Sequence, residues 1–223
     1  MKILYSIRAV FICSIVTGNI KIVLVFLLLF FYGVATLLAK DGDNVILIVI
    51  DSLQSSHLRC YGYNKETSPN IDSLAKQGTM FKDAIAQSSW TCSSMPSILT
   101  GTYPRTHRRY DWNHLVNPDK KTIMDVLREN GYYNIGFTVG SYGLDLNKTF
   151  DAHFDSSLIK ADSLTSKVID WLNVNKEKKF FMLVHYMDIH GPYEPPYPYN
   201  EFFLPERYKG LEPKSNEVVE ALF

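Results

Sequence analysis

The stretch NVILIVID, Asn44 to Asp51, constrains this chain most: an unbroken apolar, β-branched run halted by a carboxylate. Such a run reads as a central strand of a parallel sheet, buried on both faces. A second run of the same kind, FFMLVHYM from Phe180 to Met187, and a shorter one, NIGFTV from Asn134 to Val139, predict further strands. Between them lie segments of helical period. Ser68, Pro69 and Asn70 open one helix, which carries Ile71, Leu74 and Ala75 and closes at Gly78. A second places Ile123, Val126 and Leu127 on one face before Gly131, and a third carries Leu164, Val168, Trp171 and Leu172. Residues 79–86 read as an additional strand. Strands alternating with helices predict an α/β fold with a mainly parallel sheet. A sheet ending at the FFMLVHYM run would leave an apolar edge for other strands to cover.

The first forty residues differ in kind. Between Arg8 and Lys40 the only charge is Lys21, and Ile22 to Ala39 is uncharged and largely apolar. Its length is near the lower limit for a membrane span, roughly 17 to 25 residues. Lys2, Arg8 and Lys21 precede the run and Asp41 and Asp43 follow it, a bias that puts the N-terminus in the cytoplasm. Residues 1–40 are therefore expected to be a signal anchor in the cell membrane, with residues 41–223 a single domain on the extracytoplasmic side. A signal peptide cut near Gly33 to Ala35 is the competing reading. With 23 basic and 23 acidic residues the chain carries no net charge, which gives no electrostatic footprint for nucleic acid. Cys13 belongs to the membrane-proximal segment. Cys60 and Cys92 could pair, although a small buried thiol is the simpler reading of Cys60.

In parallel α/β sheets ligands collect at the carboxyl ends of the strands. Three polar groups fall there: Asp51, the stretch Thr91 to Ser94 at the start of a helix, and His185, Asp188 and His190 after the last strand. A carboxylate in that place suits a hard cation, and alone it equally suits a turn cap. A hydroxyl in the first turn of a helix meets free backbone amides, which favour an anionic ester, yet helix caps are far commoner than nucleophiles.

The order of these pieces resembles the sulfatase branch of the alkaline phosphatase superfamily. SPNIDSLAKQG is similar to that family's "TPNLDxLAxxG", SILTGTYP to "SLLTGxxP", and HYMDIHGPYEPP to "HxxDPHxPYxPP"; the likeness runs from Asn44 to Pro196. The resemblance implies an alkaline-phosphatase-like domain acting on sulfate or phosphate esters. It implies a divalent cation (Ca, Mg, Mn or Zn) with Asp51 and Thr91 as ligands, and His190 against the ester oxygens or leaving group. It also implies the nucleophile position. The family's CxPSR motif sets its cysteine nine residues before the threonine of the TG pair, and counting back from Thr100 reaches Thr91. Cys92 lies one residue late, with Ser94 and Pro96 where a formylglycine site has proline and arginine. Thr91 thus resembles the threonine of phosphoester enzymes such as lipoteichoic acid synthases and phosphoethanolamine transferases, which are membrane-anchored too. Two departures stand out. GYYNIGFTVGSYGLDLNKTFDAHFD occupies the place of the family's GKWH segment, and no later DHG segment, the source of further metal ligands, follows. An incomplete, weakly active enzyme and a non-catalytic remnant are therefore both open. His185 and Asp188 read more simply as structural, while His57 and His107 match family positions without an assigned role. The aromatic stretch Tyr193 to Phe203 reads as a rigid surface loop.

Overall fold

The computed structural model describes residues 42–202 apart from 158 and 193. The apolar run Ile22 to Ala39 lies outside the described residues, and among those described no helix is long and apolar enough to cross a membrane. In chain order the elements are β1 (Val45–Ile50), α1 (Pro69–Gln77), α2 (Thr91–Thr100), α3 (Pro104–His107), α4 (Ile123–Glu129), β2 (Tyr133–Thr138), α5 (Leu146–Thr149), β3 (Ala152–Asp155), α6 (Ala161–Val174) and β4 (Phe180–Tyr186). The four strands form one parallel sheet in the order β1-β4-β2-β3.

β4 is the spine of this sheet. It pairs with β1 on one side and β2 on the other, and its residues from Phe180 to His185 are all buried. Because side chains alternate along a strand, β4 feeds two cores. Phe181 and Leu183 pack with Met95 and Leu99 of α2, Met124 of α4, Tyr142 and Phe150. Phe180, Met182 and Val184 pack with Ile135 and Phe137 of β2 and Leu164 and Val168 of α6. His185 follows Leu183 in that alternation and so lies on the α2 side. The apolar run at FFMLVHYM is therefore not an edge, contrary to expectation.

Among the described residues the sheet is bordered by β1 and β3, and the apolar edge is β1. Val45, Leu47 and Val49 pack against the α2-side core, while Ile46 and Ile48 stay 46% and 57% exposed. The run is apolar on both faces yet covered on one, because burial of a strand depends on what crosses it and not on its own sequence. The strand expected over residues 79–86 is irregular, and its Phe81 and Ile85 are exposed. It pairs with neither β1 nor β3, the two strands bordering the sheet among the described residues. Strand β3 was not foreseen; it is four residues long and polar at His153 and Asp155. Helix α4 lies where expected with a different inner face: Met124 is fully buried and Leu127 packs beside it, while Ile123 and Val126 are exposed. Its start is fixed by a capping box, in which Thr122 Oγ1 accepts from the Asp125 N–H and the Asp125 carboxylate accepts from the Thr122 N–H.

Candidate active site

The register of the β1–β4 pair sets Ile50 beside Tyr186, and the Asp51 N–H donates to the Tyr186 carbonyl at 2.9 Å. Asp51 therefore leaves the sheet at the level where β4 ends. The chain then turns sharply through Ser52, which has a left-handed backbone (φ 58°) and donates from Oγ to Asp51 Oδ1 at 2.9 Å. The side chain of Asp51 is only 10% exposed.

Thr91 opens α2, and its Oγ1 donates to Asp51 Oδ2 at 2.8 Å. The preceding Trp90 offers no side-chain cap to the first turn, so Thr91 sits where helix amides favour negative charge. The helix is held from behind by a buried polar cluster. Ser93 Oγ donates to the Arg109 carbonyl at 2.8 Å, Ser97 Oγ lies 2.9 Å from His107 Nε2, and the Arg109 N–H donates to His107 Nδ1 at 3.1 Å. His107 thus has a role, in fixing α2. Cys92, the next residue of the helix, is buried in the core with no exposed surface, and Cys60 is half-buried; both are free thiols.

His185 lies directly behind Asp51. Its Nε2 is 3.3 Å from Asp51 Oδ2, its Nδ1 is 2.7 Å from the Tyr142 hydroxyl, and its ring is wholly buried. Burial is the largest influence on the Asp51 carboxyl and pushes its pKa up. The hydrogen bonds from Thr91 and Ser52 and the positive potential of His185 and His190 outweigh burial, so the group titrates below the ordinary carboxylate range. Burial pushes His185 down, against the pull of Asp51. At neutral pH the site is a carboxylate accepting a hydroxyl proton beside a neutral imidazole.

Of the residues singled out in the sequence, Asp51 and Thr91 are in direct contact. His190 stands in the exposed turn after β4, with its ring held to the Gly191 carbonyl at 2.8 Å; it makes no hydrogen bond to Asp51 or Thr91. It borders a cleft of about 350 Å³ lined also by Lys160, Asp188 and Glu194. Asp188 caps α6, accepting from the Ala161 N–H at 2.9 Å. His57 is exposed and packs edge-on against Tyr63. Ser52 and Tyr142 were not foreseen; glycines on either side of Ser141–Tyr142 and a serine after an aspartate read locally as turns.

Asp51 and Thr91 are oxygen donors of the kind a hard cation takes. Among the described residues no group of three or more His, Cys, Asp or Glu surrounds a common point, whereas such a cation wants about six ligands. The donor set begins a metal site and does not complete one.

A family model described as Sulfatase matches residues 43–209. Iduronate 2-sulfatase of Homo sapiens is 39% identical over 125 residues, 52% of this chain and 22% of that protein. N-acetylgalactosamine-6-O-sulfatase of Bacteroides thetaiotaomicron is 35% identical over 98 residues, 42% of this chain and 19% of that protein. The chain thus spans about a fifth of the length of these relatives. A solved structure in complex with its substrate D-glucosamine-2-N,6-O-disulfate superposes with a TM-score of 0.64 at 23% identity, over 73% of this chain and 38% of that one. The C-terminal periplasmic domain of EcEptC from Escherichia coli, in complex with Zn, does so with a TM-score of 0.55 at 18% identity, over 82% and 55%. At these identities the two structures show a shared fold.

Proposed function

The chain belongs to the sulfatase family, and we propose that its domain is the nucleophile-bearing part of a metal-dependent hydrolase of sulfate or phosphate esters, with Thr91 as the attacking group. The observation that carries this reading is the 2.8 Å bond from Thr91 Oγ1 to Asp51 Oδ2 at the mouth of a helix. In the proposed step Thr91 Oγ1 bonds to the sulfur or phosphorus and the bond to the ester oxygen breaks. The hydroxyl proton, oriented by Asp51, leaves to solvent water, since that carboxylate titrates below the ordinary range, and His190 supplies a proton to the departing oxygen. Water then releases the group from Thr91. A divalent cation held by Asp51 and Thr91, with further ligands, would lower the hydroxyl's pKa and offset the charge that develops on the ester.

A second reading is favoured by the hydroxyl itself: a threonine in place of an oxidisable cysteine suits a membrane-anchored phosphoester transferase. The third, a non-catalytic remnant, draws on the incomplete donor set. Nitrophenyl sulfate and bis-nitrophenyl phosphate, assayed with Mg, Mn, Ca and Zn, separate the three. With so few ligands among the described residues, the 223-residue chain is expected to turn over slowly, with a metal requirement and complete loss in Thr91→Ala. Turnover that survives Thr91→Ala refutes the nucleophile, and turnover of the phosphate ester alone favours the transferase. No turnover with any metal favours the remnant.

We also propose that residues 1–40 anchor the domain on the extracytoplasmic face of the cell membrane, supported by the apolar run and the charge bias around it. Protease added to intact spheroplasts is expected to digest the domain. Digestion only after lysis would reverse the orientation.

A further inference from the structure

We propose that Tyr142 and His185 are positioning residues for the candidate nucleophile: a buried pair that fixes the Asp51 carboxylate on which the Thr91 hydroxyl rests. The proposal builds on the assignment of Thr91 as the attacking group.

The argument starts from the proton on His185. Tyr142 Oη accepts the Val139 N–H at 3.2 Å and lies 2.7 Å from His185 Nδ1. With an oxygen lone pair taken by the amide, the phenolic proton is free to point at Nδ1. A ring that accepts at Nδ1 carries its own proton on Nε2. That N–H faces Asp51 Oδ2 at 3.3 Å, off line for a full hydrogen bond, and has no other partner. Asp51 Oδ2 is thus held between the Thr91 hydroxyl and the His185 N–H, while Oδ1 takes the Ser52 hydroxyl. His185 so protonated has no lone pair to offer a cation, which separates its role from those of Asp51 and Thr91.

Packing alone does not account for the pair. Around Tyr142 the core is Met95, Leu99, Phe150, Phe181 and Leu183, where phenylalanine would fill the same space. A hydroxyl and an imidazole buried among such residues cost stability unless they satisfy each other. The backbone is a second, independent sign. Tyr142 has φ 51°, a left-handed conformation that a bulky residue rarely adopts, between Gly140 at 64° and Gly143 at 77°. Strain of this sort persists where surrounding contacts enforce it, and it concentrates at functional sites. Here it aims a 2% exposed ring at His185. The loop that does so belongs to the segment standing in place of the family's GKWH motif, so in this chain that segment acts from behind the carboxylate.

The test uses the full 223-residue chain in detergent micelles, labelled with ¹⁵N at histidine and ¹³C at threonine. In the native chain the His185 nitrogens are expected to report a single tautomer protonated at Nε2, and three-bond couplings at Thr91 a single χ1 rotamer. Tyr142→Phe deletes one oxygen and is expected to lose the fixed tautomer and to average the Thr91 couplings. His185→Phe is expected to average them as well. His185→Gln keeps an N–H donor within reach of Asp51 and is expected to restore the single rotamer. A native His185 protonated at Nδ1, or Thr91 couplings unchanged in both Tyr142→Phe and His185→Phe, would overturn the proposal. Should His185→Phe fail to fold in a thermal melt, the native tautomer and Tyr142→Phe decide. None of these readouts needs turnover, so a chain inactive on every ester counts against the hydrolase reading and leaves this result standing.

Discussion

Replacing His107 by leucine removes the imidazole that ties α2 to the loop after α3, and the cost can be worked from its two contacts. His107 is fully buried; its Nδ1 accepts the Arg109 N–H, so its Nε2 proton donates to Ser97 Oγ. Ser97 keeps its own bond to the Ser93 carbonyl, whereas the Arg109 amide is left with no acceptor from the ring. An unsatisfied buried amide costs about 1–3 kcal/mol, and losing the net worth of the Ser97 bond adds about 1 kcal/mol. The expected penalty at neutral pH is therefore about 2–4 kcal/mol, a large part of the roughly 5–15 kcal/mol that stabilises a domain. Burial also pushes the His107 pKa below the ordinary 6.5, so in mild acid the unfolded chain binds a proton that the folded chain refuses. Stability from this group is present above about pH 6.5 and declines as pH falls towards the folded-state value. If His107 stays neutral throughout, the drop from about pH 7.5 to about pH 5.5 is about 1.4 kcal/mol. Leucine has no such proton, so the gap between native and His107→Leu should narrow by up to that amount. Urea unfolding of both proteins at the two pH values measures it. A gap of constant size would refute the claim that His107 is held neutral, and a penalty under about 0.5 kcal/mol at neutral pH would refute its anchoring role.

Two further outcomes follow from packing. Gly136→Ala in β2 sets a Cβ 2.9 Å from two carbons of the Phe150 ring, an overpacking expected to cost about 1–3 kcal/mol; a thermal midpoint equal to the native one would contradict that contact. Cys92 is expected to remain an unmodified thiol when the chain is made together with a formylglycine-generating enzyme, since its side chain is in the core and the flanking proline and arginine are replaced. Peptide mass spectrometry showing aldehyde at Cys92 would reverse the choice of Thr91.

The sequence made some of this visible and hid the rest for physical reasons. β2 and β4 were legible as apolar runs and α6 by the helical spacing of Leu164, Val168, Trp171 and Leu172, whereas α1 was legible from its Ser-Pro start and its stop at Gly78, and its Leu74 is exposed while Asp72 is buried. The position of β1 at an edge was not, since VILIVI reads the same whether one face or both are covered. Ile123 and Met124 compete for the inner side of a short helix, and neighbours from distant parts of the chain, Met95 and Leu99 of α2 with Phe181 and Leu183 of β4, surround Met124. Asp51 could be found because it ends a recognisable strand, and Thr91 because it lies nine residues before Thr100 in a stretch that resembles a known motif. The partnership of Tyr142 with His185 could not, because it joins positions 43 residues apart through a left-handed turn that the stretch GSYG does not announce.

What the fold accomplishes at this site is to set one hydrogen bond between two separately braced bodies. Asp51 continues the register of a parallel strand pair whose inner member, β4, is buried along nearly its whole length, so its backbone has little freedom. Thr91 stands on a helix gripped from below by Ser93, Ser97, His107 and Arg109. Polar groups are costly in an interior, and a chain that only needed to fill space here would use apolar side chains. Elsewhere in the buried interior Thr122 and Asn134 serve helix ends, the one as an N-cap and the other by donating to the Met124 carbonyl. The cluster behind Thr91 and the pair behind Asp51 flank the 2.8 Å contact from opposite sides. A hydroxyl held in this way has its orientation settled before an ester arrives, and a nucleophile with its geometry fixed in advance needs less ordering to reach the transition state.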